Sequence, residues 1–96
     1  MTSTTSKLEP KYRLEIDHDV EKTLRRQGRT TKARLFKAMF ALVENPHPRN
    51  SLKLEGYTDL FRLRVGDWRI IYQINDDQLL IIVLEVGSRG GIYRDY

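Results

Sequence analysis

Cysteine is absent from this sequence, which excludes a disulfide framework, a thiolate-bound zinc and a Cys nucleophile. The simplest compartment for such a chain is a reducing cytoplasm. Nowhere do eighteen apolar residues follow one another, and the Ser/Thr-rich opening MTSTTSKLEPK holds no apolar run of signal-peptide length; neither a membrane span nor a secretory leader is expected. No internal repeat divides the chain, and neither the P-loop spacing nor the dinucleotide-binding glycine spacing occurs. Histidine is scarce: His18 stands beside a helix start and His47 between two prolines, so no pair of imidazoles is set up for acid-base work. Asp76 and Asp77 occupy a turn with nothing to complete a ligand set. No metal and no cofactor are expected.

What is present is enough for one small domain. The chain has 96 residues, near the lower end of what a hydrophobic core alone can hold together. Residues 1–11 read as a flexible N-terminal tail and residues 12–96 as the folded unit. The net charge of +4 is unevenly spread. Residues 12–50 carry nine Lys/Arg against five Asp/Glu, and residues 51–96 carry six against seven. Charge count alone gives a weak preference for anionic partners, so the direction in which the later basic residues point decides more than their number.

Tyr12, Leu14 and Ile16 alternate with Arg13, Glu15 and Asp17, the pattern of a strand with one buried face. Asp17 or Asp19 suits the cap of a short helix over about 19–27, with Gly28 as its stop. A second helix begins at Thr30 or Thr31 and buries a stripe of Phe36, Met39, Phe40 and Val43; Pro46 and Pro48 end it. Lys22, Arg25, Arg26, Arg29, Lys32, Arg34 and Lys37 fall mostly off the apolar stripes, as solvated helix faces do. From Leu60 the period changes to two, in the runs LFRLRV, WRIIYQIN and LLIIVLEV. The third run is almost wholly apolar, as in a strand covered on both faces. The fold class is α+β: a strand, two helices and three antiparallel strands, with the helices on one face of a twisted antiparallel sheet. Whether the first strand joins that sheet is left open by the pattern.

Gly66-Asp67 suits a two-residue type II' turn, with glycine first. That turn sets Val65 opposite Trp68, Arg64 opposite Arg69, Leu63 opposite Ile70 and Arg62 opposite Ile71. Arg62, Arg64 and Arg69 then share one face. Phe61, Leu63, Val65, Trp68, Ile70, Tyr72 and Ile74 make an apolar layer on the other, which the helices should cover. Like charges directly opposite one another are destabilising, so Arg64 and Arg69 call for an anion. A carboxylate such as Glu85 or Asp59 is one reading; a phosphate, which fits the rigid fork of arginine donors, is the other. After the last run, glycines at 87, 90 and 91 flank Arg89 and free the chain to carry Arg89 and Tyr93 toward the rim of the basic face. A mobile Gly-rich end is the plainer alternative.

The run from Lys53 to Ile74, with Gly56, the Leu-Phe-Arg-Leu-Arg segment at 60–64 and Gly-Asp-Trp-Arg at 66–69, followed by Val86-Gly87, Arg89 and Tyr93, resembles the core of the RelE/ParE toxins. With the preceding strand and helices, the resemblance covers roughly residues 10–95. In the RelE branch it implies a toxin-antitoxin toxin: a ribosome-associated endoribonuclease that cuts mRNA in the decoding site without a metal. The branch's basic positions fall on Arg62, Arg64, Arg69 and Arg89, and its C-terminal tyrosine on Tyr93. Arg62 and Arg64 stand where the best-studied RelE-type site has lysines, and arginine, which stays protonated, is a poor general base. The implied reaction is attack of a ribose 2'-OH on the adjacent phosphate. Arg62, Arg69 and Arg89 are expected to stabilise the developing charge, and Arg64 or Tyr93 to handle or orient the proton. Glu85 is a further base candidate, although the simplest register puts it on the other face.

Two rival functions remain. The ParE branch of the same fold poisons DNA gyrase and lacks the ribonuclease cluster. A non-catalytic module holding RNA or an acidic peptide on the arginine face belongs to a different class. Both toxin readings imply a cognate antitoxin covering the basic face or nearby helix grooves with a helical or extended acidic segment.

Overall fold

Polar-apolar alternation begins with β1 (Arg13–Ile16), and the later elements are α1 (His18–Arg25), α2 (Arg29–Ala41), β2 (Ser51–Lys53), β3 (Leu60–Val65), β4 (Trp68–Asn75) and β5 (Leu80–Ser88). The computed structural model describes residues 12–88, so the expected tail over 1–11 lies outside the described residues. Five strands form one sheet in the order β1-β5-β4-β3-β2. The pairs β2–β3, β3–β4 and β4–β5 are antiparallel, while β1 runs parallel to β5. The sheet is therefore mixed, where an antiparallel one was expected. Parallel pairing needs a long crossover, and the chain from α1 to β4 provides it.

Asp17 caps α1, its carboxylate accepting a hydrogen bond from the Asp19 amide at 3.0 Å. Val20 and Leu24, four residues apart, are the buried pair of that helix. Gly28 is not the left-handed stop expected of it: with φ −67° it is extended and precedes α2 as its N-cap. The helix accordingly starts at Arg29, before either threonine. Its buried stripe is also rotated from the expected one. Leu35, Met39 and Leu42 are completely buried, whereas Phe40 is 56% exposed and stacks on half-buried Phe36 at 5.7 Å. The neighbours Leu35-Phe36 and Met39-Phe40 offer two stripes one residue apart with the same period, and packing against the sheet selects the aliphatic one.

The helix residues meet Phe61, Leu63, Ile70, Tyr72, Ile74, Ile81, Val83 and Val86 from the sheet in one cluster. Each large side chain buried there contributes about 1.5–3 kcal/mol. Central β5 buries Ile81 and Val83 completely on the helix side; on the other, Leu80 is buried and Ile82 only half so. The turn before β5 takes in residues 76–79, and exposed Leu79 adopts φ +51° there instead of opening the strand. β2 was not anticipated. It has three residues, too few for alternation to register, and exists because its backbone pairs with the edge of β3.

Candidate nucleic-acid interface

Gly66 has φ +62° and Asp67 has no positive φ, as a type II' turn requires. The pairing is the expected one: Val65 with Trp68, Arg64 with Arg69, Leu63 with Ile70 and Arg62 with Ile71. Residues directly opposite one another share a face. Arg62, Arg64 and Arg69 thus lie together on the side away from the helices, Arg64 exposed and the other two partly so. A Cβ at 66 would sit 2.7 Å from Nη2 of Arg34, the far end of an exposed side chain that can move aside, so it is the positive φ that calls for glycine there.

The same face gains a carboxylate by an irregularity that alternation hides. Ile71 pairs with Glu85 and Tyr72 with Val83, leaving Leu84 unopposed on β5. This β-bulge shifts the pleat by one residue. Val83 stays in the core, while Glu85 joins Arg62 and Ile71 in a row across three strands, contrary to the simplest register. The next row runs Arg64, Arg69 and Gly87, so no side chain stands opposite Arg69 on β5.

Asp59 is not the anion for the arginine pair. Its Oδ2 accepts from Gln73 Nε2 at 2.7 Å, and it lies five residues from Arg64 along the chain, about 17 Å at strand rise. With Asp76 and Asp77 it lines a hollow of about 300 Å³ at the β4–β5 turn. The sheet is basic at its Gly66 end and acidic at this one. Among the described residues, no group of His, Asp and Glu converges as three potential metal ligands. His18 and His47 are exposed, and His47 packs edge-on to Phe61 at 5.1 Å, on the helix side of the sheet.

Residues 46–52 add a wall that sequence reasoning missed. The buried Tyr72 hydroxyl donates to the Pro46 carbonyl at 2.6 Å. Burial pushes the Tyr72 phenol above its ordinary value of 10.0, partly offset by the Ser51 hydroxyl. Asn50 is tied to Arg64 twice: its Nδ2 donates to the Arg64 carbonyl, and its own carbonyl accepts from the Arg64 amide at 3.1 Å. Arg49, Asn50, Ser51 and Leu52 then enclose, with Arg62 and Arg64, a cleft of about 300 Å³. An arginine in a proline-flanked loop has no periodic signal to mark it. Arg89 and Tyr93 lie outside the described residues; Ser88, paired with Trp68, ends β5 immediately before Arg89.

The chain is similar in sequence and fold to proteins named as toxins. The family described as the ParE toxin of the type II toxin-antitoxin system parDE matches residues 12–93. The mRNA interferase toxin RelE of Escherichia coli K12 is 31% identical over 80 residues, covering 81% of this chain and 83% of that protein. Among solved structures, the archaeal RelE-RelB complex from Pyrococcus horikoshii OT3 has a chain 34% identical to this one, with a TM-score of 0.76 over 83% of this chain and 97% of the other. The isolated E. coli RelE toxin is 28% identical, with a TM-score of 0.71 over 81% and 84%. The chain belongs to the RelE/ParE superfamily of type II toxins, and the solved structures just compared are of RelE proteins.

Proposed function

We propose that this chain is a cytoplasmic, ribosome-dependent endoribonuclease that cleaves mRNA in the decoding site and is restrained by a cognate antitoxin. The observation that carries the reading is the gathering of Arg62, Arg64 and Arg69 on one open face, to which the β5 bulge adds Glu85. The similarity to a protein named an mRNA interferase supports the substrate, and the similarity to a RelE-RelB complex supports the antitoxin. An acidic segment of the antitoxin neutralises the arginine face or nearby helix grooves when bound.

In the proposed reaction the 2'-oxygen bonds to the adjacent phosphorus and the bond from phosphorus to O5' breaks. The products are a 2',3'-cyclic phosphate and a 5'-hydroxyl. Arg62, Arg69 and Arg89 stabilise the extra negative charge of the phosphorane, a role worth about 10²–10³-fold for one such donor. The 2'-OH proton passes to the Glu85 carboxylate, a group that unlike a guanidinium can accept one; Arg64 orients the hydroxyl, and Tyr93 gives its phenol proton to the departing O5' and regains one from Glu85 through solvent. No step requires a metal. The ribosome contributes by holding the 2'-OH in line with the phosphate, and free RNA is then a poor substrate.

The test is a cell-free translation reaction with purified protein, mapping mRNA 5' ends by primer extension with and without an elongation block, alongside a gyrase supercoiling assay. Cuts that follow ribosome position, with free 5'-hydroxyls, are expected. The family description carries the ParE name, and mRNA left intact while supercoiling stops would establish gyrase poisoning instead.

A further inference from the structure

The loop leading into β2 is more firmly held than an exposed connection needs to be. Tyr72 anchors it at Pro46 from within the core, the amide and hydroxyl of Ser51 both donate to the Pro48 carbonyl at 3.0 and 2.8 Å, and Asn50 is clamped to Arg64. Between these fixed points stands exposed Arg49, on the cleft it shares with Arg62 and Arg64. Among the described residues, three arginines and no carboxylate line that space. On its β2 side Leu52, opposite Arg62 and on the same face, is 61% exposed. Arg62 and Arg64 belong to the proposed reaction centre; Arg49 does not.

We propose that this cleft is a second phosphodiester subsite, in which Arg49 holds the RNA phosphate next to the scissile one and Leu52 supports the nucleotide between them. The inference rests on the ribonuclease reading and extends it from one phosphate to the path of the strand. Continuity favours RNA over an acidic protein segment: the cleft opens directly from the arginine rows, its donors are forks that match phosphate oxygens, and an apolar side chain beside a cationic track suits a base, whose faces are apolar.

The test measures binding of the full chain to a labelled, non-cleavable 2'-O-methyl RNA oligonucleotide by fluorescence anisotropy across a salt series. Loss of one phosphate contact lowers the slope of log K against log salt by about 0.7 for a single strand. Arg49→Ala is expected to show that decrease and to bind about fivefold more weakly at low salt. Arg49→Lys should keep the slope, and Lys37→Ala, an equal loss of charge on exposed α2, should match wild type. An unchanged slope in Arg49→Ala overturns the subsite. So does a variant that binds RNA normally but loses affinity for an oligoglutamate peptide, which would assign the cleft to an acidic protein partner. In either case mRNA cleavage by the wild-type chain in the translation reaction leaves the ribonuclease reading standing. A wild-type chain showing neither cleavage nor salt-dependent RNA binding removes both.

Discussion

Adjacent residues of β3 and β4 serve opposite purposes. Leu63 and Ile70 face one another across the hairpin and are sealed in the core with Leu24, Leu35 and Met39. One step along each strand, Arg64 and Arg69 face one another on the open side and repel, at a cost of about 0.2–1 kcal/mol. The two-residue period of the strands thus separates stability from function within sixteen residues. The covered face tolerates the repulsion because each large apolar side chain buried there contributes more than the repulsion removes. A charge pair kept against the interest of the fold points to a ligand.

Four substitutions break or sharpen that contrast. Glu85→Gln removes the proposed base and should lower mRNA cleavage about 10²–10⁴-fold, while the denaturation midpoint reports an intact core; normal cleavage would return the proton to Tyr93 or the ribosome. Ile70→Ala does the reverse, costing about 2–5 kcal/mol in urea unfolding through the cavity it leaves, with cleavage per folded molecule retained. Gly66→Ala damages both faces at once. It forces a left-handed alanine, at about 1–2 kcal/mol, displaces the Arg34 guanidinium, and disturbs the turn that sets the arginine register.

Tyr72→Phe has the smallest expected effect, about 1 kcal/mol at neutral pH from the lost bond to Pro46, and a characteristic pH dependence. The folded phenol holds its proton more tightly than the unfolded one, because burial raises its pKa above 10.0. Its contribution is complete below pH 10.0 and is lost as pH rises through the folded value. Wild type should therefore lose stability above that pH more steeply than Tyr72→Phe, as parallel unfolding curves would show.

The hairpin was legible in the sequence because one dipeptide, Gly66-Asp67, fixes every pairing from Val65 back to Arg62. Three of the six proposed site residues, Arg62, Arg64 and Arg69, follow from that turn and alternation alone. Glu85 could not be placed in the same way: a bulge is a break in the two-residue period, and no single residue around Leu84 announces it. The stripe of α2 was ambiguous because paired apolar neighbours give two solutions, and the role of Gly28 because an N-cap and a stop differ in backbone angle rather than residue type. β2 and Arg49 depend on contacts between distant segments, Asn50 with Arg64 and Pro46 with Tyr72, which local patterns do not encode. The resemblance to RelE/ParE toxins supplied what the pattern lacked, a reaction to which the arginines could belong.

The most direct test of the arginine face is Arg69→Ala, assayed for mRNA cleavage in cell-free translation at matched folded concentration. Arg69 sits at the centre of the open face, opposite Arg64 on one side and Gly87 on the other. Its loss should reduce cleavage about 10²–10³-fold with the thermal midpoint equal to wild type or slightly higher, because a repulsion is relieved. Undiminished cleavage by a folded Arg69→Ala protein would contradict the account.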